Sequence, residues 1–155
     1  MIQRVQSIYL FLASLAIFAL YLFTLANNVY INNIPTSIKV TGLIQDVNGQ
    51  QQQIQSFVAL TAATAVVGLL PLVTIFLFRN RKQQIVLAYI TILVIIGHSF
   101  WVAQTVKGAV GSVTLNTSNF GIGLFLAPIA ILLTLLAIKA IKRDNALVRS
   151  ADRLR

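Results

Sequence analysis

His98 is the one ionisable side chain set inside a long uncharged apolar run of this 155-residue chain. In a lipid-facing segment such a residue is costly and points to a function with a partner to be found. Counting back seven residues reaches Thr91, and ten reaches Ala88, so a helix puts His98 on a face of small and hydroxyl-bearing residues. Two readings follow. A functional imidazole would respond to protons or touch a ligand. A structural one would stay neutral and hydrogen-bond a hydroxyl, amide or backbone carbonyl. No carboxylate lies in any apolar run to stabilise an imidazolium or extend a proton relay, so the structural reading is the expectation. Trp101, one turn further on, is placed as an interfacial aromatic.

The rest of the chemical inventory is thin. The only side-chain carboxylates are Asp46, Asp144 and Asp152, and there is no glutamate and no cysteine. Asp46 lies between the first two apolar runs and the other two lie beyond the last, so no outer–inner pair can share acid–base work. One histidine cannot assemble the four-ligand shell of zinc, nor supply both axial ligands of a haem. Gly121-Ile122-Gly123 follows no strand of a βαβ unit and is not a dinucleotide loop. The expectation is a protein that is not an enzyme, with no catalytic residue, cofactor or metal.

Four apolar runs must position these residues: 8–25, 57–78, 85–103 and 120–138. Each approaches the roughly 20 residues that a helix needs to cross a bilayer core. Of the 12 basic residues, Arg4, Arg79, Arg81, Lys82, Lys139, Lys142, Arg143, Arg149, Arg153 and Arg155 fall on one side of those runs, and only Lys39 and Lys107 on the other. By the positive-inside rule both termini and the turn at 79–84 are cytoplasmic, while 26–56 and 104–119 are outside. The net charge of +9 would suggest nucleic acid in a soluble protein. Flanking apolar runs, it is read as setting topology and meeting anionic headgroups, with no nucleic-acid partner. The first run exceeds the h-region of a signal peptide and is read as an uncleaved span.

The outer loop 26–56 reads as strand: Val29–Ile31, Ser37–Val40 and Leu43–Val47 are rich in β-branched residues, with Pro35 and Gly42 between them. Asn48-Gly49 suits a type I′ turn, leading to a polar, solvent-facing return strand from Gln50 to Gln55, although a glutamine run can also be a linker. The gap 104–119 could add a strand or stay a loose loop, and Asn116-Thr117-Ser118-Asn119 offers caps for the last helix. Small residues at Ala59, Ala63, Thr64 and Gly68, and at Gly123, Ala127, Ala130, Thr134 and Ala137, mark where helix backbones can approach. Pro71 and Pro128 lie inside their runs, where a kink is the default consequence. The fold class is thus an all-α membrane protein: one four-transmembrane-helix bundle with a small β-rich extracytoplasmic loop between helices one and two.

The basic cytoplasmic tail 139–155 closes with a distinctive string in which Asp152 can reach Arg149 and Arg155 at three-residue spacing on a helix, with Arg153 beside it. That segment reads either as a headgroup-bound basic helix or as a docking helix. The opening Met1-Ile2-Gln3-Arg4-Val5-Gln6-Ser7-Ile8-Tyr9-Leu10 and the closing Leu147-Val148-Arg149-Ser150-Ala151-Asp152-Arg153-Leu154-Arg155 resemble a four-span family of Bacteroidota inner-membrane proteins, the domain of unknown function number 4293. The resemblance implies a bacterial inner (cytoplasmic) membrane location and carries over no activity and no site residue. The expected function is a non-enzymatic accessory or scaffold subunit of an inner-membrane protein assembly, with membrane lipids and other inner-membrane proteins as partners. The alternative is a small transporter, channel component or lipid-handling protein working around His98 and the proline-containing spans.

Overall fold

The computed structural model describes residues 3–31, 34–47, 50–111, 113 and 117–153, with backbone only for 3, 4 and 149–153. In chain order these form α1 (Gln3–Phe18), a 3-10 turn (Ala19–Tyr21), strands β1 (Ala26–Ile31), β2 (Ile34–Lys39), β3 (Gly42–Val47) and β4 (Gln50–Ser56), then α2 (Val58–Phe76) and α3 (Arg81–Val110). A second 3-10 turn (Thr117–Asn119) precedes α4 (Gly123–Arg153). The protein is mostly helical. Three helices are long and apolar enough to cross a membrane, and Val5–Tyr21 is a shorter apolar helical stretch.

Neighbouring helices pack in a closed circuit: α1 against α2, α2 against α3, α3 against α4 and α4 against α1. The short link from α2 to α3 makes these two antiparallel neighbours, as the gap at 79–84 required. Asn80 caps α3, accepting from the Gln83 N–H at 3.3 Å. The small-residue stripe of α4 is wholly buried, including Ala130 and Ala137 with no exposed surface. On α2, Thr64 and Gly68 are buried, Ala63 is half-buried, and Ala59 is exposed. The main helix pairings set α2 against α1 and α3, and α4 against the same two, so the stripes are not packed chiefly on one another. Gly68 marks a close approach: a Cβ there would meet the Phe18 ring at 3.0 Å, and the Gly68 carbonyl accepts from the Ser14 hydroxyl at 2.7 Å. Both prolines lie within continuous helices, Pro71 buried and Pro128 exposed.

The segment between α1 and α2 is a four-stranded antiparallel meander, β1-β2-β3-β4. Alternation along β2 buries Thr36 and Ile38 on one face, as the period of two demands. That face, with Ala26, Val29 and Leu43, packs on Val110, Val106 and Ala109 near the end of α3. Gly42 opens β3 at φ +152°, and a Cβ there would fall on the Gln55 carbonyl oxygen. Asn28 adopts φ +52° in the irregular stretch of β1 between Ala26 and Val29, a conformation asparagine tolerates better than most residues. The expected return strand is present, and β4 is exposed throughout at the edge of the sheet. Asn48-Gly49, expected as the turn, lies outside the described residues.

The gap 104–119 differs from expectation. Rather than opening into a loop or strand after Ala103, α3 continues to Val110, and Gly111 caps it at φ +62°. The physical reason is tertiary. Val102, Val106 and Val110 recur every four residues, and the later two are anchored by the sheet, so Lys107 and Gly108 are carried along on the exposed side. Thr117–Asn119 does not cap α4 either, because that helix begins only at Gly123. Asn119 instead donates its side-chain amide to the Asn27 and Asn28 carbonyls, at 3.0 and 2.8 Å.

Candidate functional site

His98 sits on the buried face of α3 with Ala88, Thr91, Ile95 and Val102, the face that its spacing implied. Its partner is a hydroxyl, that of Thr64 on α2: Nε2 and Oγ1 are 2.8 Å apart. The roles within this contact can be worked out. Thr64 Oγ1 also lies 2.8 Å from the Leu60 carbonyl, and a carbonyl can only accept, so the one hydroxyl proton is spent there. Oγ1 must then accept from His98, which assigns the proton of the neutral ring to Nε2. Nδ1 is left as a bare acceptor, and this buried atom has no hydrogen-bond partner.

His98 lines a cavity of about 390 Å³ between the 3-10 turn after α1, the C-terminal half of α3 and the start of α4. Leu20, Leu25, Val102, Val106 and Ala127 supply much of its apolar wall, and Lys107 stands at its rim. Ser99 also lines it, but its hydroxyl donates to the Ile95 carbonyl at 2.8 Å. Trp101 faces away: it is nearly half exposed and is not among the cavity residues.

A short seam of backbone and side-chain bonds closes this end of the protein. The Gly121 N–H donates to the Leu25 carbonyl at 2.9 Å and the Gly123 N–H to the Thr24 carbonyl at 3.0 Å. Ala26 bridges Phe120. Gly121 and Gly123 both face Thr24, leaving no room for a side chain on Gly121. No motif flagged these glycines for this role. Their one legible sign was a Gly-x-Gly pair without the strand that a phosphate loop needs.

At the opposite end, Arg81 at the start of α3 pairs with Asp144 of α4 at 2.9 Å. Lys142 Nζ lies 2.9 Å from the Tyr89 hydroxyl and 5.3 Å from the centre of that ring. Both contacts are partly exposed, so they favour alignment of the helices more than stability. Arg149, Asp152 and Arg153 belong to the last turns of α4, with side chains outside the described residues, as is the whole of Arg155. The pairing expected among them is therefore not part of the described structure. Among the described residues no three His, Asp or Glu side chains gather as a metal site would require.

The profile of a family described as a domain of unknown function, DUF4293, matches residues 2–154. No curated protein and no solved structure matches the chain.

Proposed function

The chain belongs to the DUF4293 family, a domain of unknown function, and we propose that it is a four-span, non-enzymatic scaffold or accessory subunit of a bacterial inner-membrane protein assembly. Four spans rest on the surface as well as on length. Large apolar side chains are exposed along every helix, including Ile8, Phe11, Leu12 and Leu15 of α1. Polar side chains such as Ser14, Thr64, Gln84, Thr91 and Thr134 are buried instead. That inside-out arrangement suits lipid. The 16 residues of α1 and the 3 of the following 3-10 turn together rise about 30 Å, close to the thickness of a hydrocarbon core. With the basic residues divided as they are, both termini and the α2–α3 turn face the cytoplasm and the sheet lies outside. Reporter fusions at Asn80 and at the C-terminus should both give cytoplasmic signals, and a periplasmic signal from either would sink this topology.

The observation that carries the scaffold reading is β4. An edge strand presents a row of unpaired backbone groups to any extended segment that can add to the sheet. Here that strand is seven residues long, exposed at every position and rich in glutamine, with Ile54 as its one large apolar side chain. The occupant we infer is an extended outer segment of another inner-membrane protein, held by main-chain bonds. A photo-crosslinking residue placed at Gln51 or Ile54 should yield a discrete protein adduct in native membranes. The same protein should accompany the chain through mild-detergent purification. A chain that purifies alone and gives no protein adduct at either position would remove this reading.

A further inference from the structure

We propose that the cavity beside His98 is a binding site for a long-chain alcohol or phenol, whose hydroxyl donates to His98 Nδ1 while its hydrocarbon lies along α3. This goes beyond the scaffold reading and does not depend on it. The walls set the body of the ligand. On α3 the lining residues recur from His98 to Gly111, a stripe of about 20 Å at helical rise, and the side chains between its ends are mostly valine and alanine. A volume of about 390 Å³ falls within the range of small-molecule sites.

Nδ1 sets the polar group. As Thr64 holds Nε2 in the protonated form, Nδ1 offers a lone pair and nothing else. A carboxylate, phosphate or quinone oxygen would bring a second acceptor against it and be repelled. A hydroxyl brings the missing proton. Water could also donate, but a buried water needs two to four polar partners. Ser99, a lining hydroxyl, donates to the Ile95 carbonyl and could only accept from such a water, giving it with Nδ1 the minimum of two partners. Nδ1 is itself covered, while His98 is among the lining residues. Presenting Nδ1 to an occupant takes a rotation about the broad χ2 torsion of the histidine.

Because the chain has one histidine, nitrogen-15 histidine labelling reports His98 alone. In phosphatidylcholine nanodiscs the ring should show a protonated Nε2 and an unprotonated Nδ1. Adding 1-tetradecanol should move the Nδ1 resonance upfield. Its methyl ether, which offers no hydroxyl proton, should leave that resonance in place. Val106→Trp, which fills the cavity, should abolish the response, and Ala103→Phe on the same wall serves if the first variant does not fold. An Nδ1 signal unmoved by the alcohol, moved equally by the ether, or still responsive in the filled variant would overturn the proposal. So would a ring protonated on Nδ1.

Discussion

Gly121→Ala should destabilise the protein by about 3 kcal/mol, the upper end for overpacking. The added methyl would fall on the Thr24 carbonyl oxygen, which is backbone and cannot swing aside as a side-chain tip can. Making room means separating the α1–β1 link from the start of α4. That strains the bonds from Gly121 to Leu25 and from Gly123 to Thr24, and with them the amide clamp of Asn119. Gly97→Ala is the control. It lies in α3 with nothing within 4 Å of the new methyl, so the change should be neutral or stabilising by up to about 1 kcal/mol, as helix propensity predicts. Denaturation midpoints of the two variants in one detergent decide the matter. Equal midpoints would mean that the seam is not required for stability.

His98→Leu should cost about 1–3 kcal/mol, because it strips a buried hydroxyl oxygen of its donor. Thr64→Val should cost a similar amount for the complementary reason, leaving a buried Nε2–H without an acceptor. The double variant should be milder than the sum of the two, since removing both partners strands neither. His98→Gln can still donate to Thr64 and should be tolerated. Strictly additive losses in this double-mutant cycle would show that the 2.8 Å contact contributes no coupling.

His98 was legible from sequence to an unusual degree. A lone titratable group in an apolar run had to face inward, and a helix carrying Ala88 and Thr91 on one side left little doubt about which face that was. The sheet was legible for a similar reason: its β-branched segments are punctuated by Pro35 and Gly42, which are local signals. The identity of the partner was not legible. Thr64 is one of several buried threonines, and which of them meets His98 depends on how α2 and α3 are rotated against each other.

The last two turns of α3, 104–110, were missed although their signal was present. Lys107 and two glycines suggested a loop by composition, while the four-residue spacing of Val102, Val106 and Val110 spoke for a helix. Composition describes what water tolerates; periodicity describes what a neighbour requires, and here the neighbour was a sheet assembled from residues far away in the chain. The seam at Gly121 and Gly123 was beyond reach for the same reason, since it joins residues almost a hundred positions apart.

That seam has a consequence for how the protein is made. Synthesis runs from the N-terminus, so α1 and the sheet emerge long before Asn119 to Gly123 exist. Until then the carbonyls of Thr24, Leu25, Asn27 and Asn28 lack the donors that finally engage them. The flank of α1 that meets α4 likewise has no helix to cover it. α1 is therefore made early and secured late, and a chain stopped early carries an open face and a loose hinge where α1 hands over to β1. A nascent chain arrested before Asn119 should be cleaved by added protease between Thr24 and Asn28, and the chain extended through α4 should not. Resistance in both would mean that the hinge is locked without its final helix.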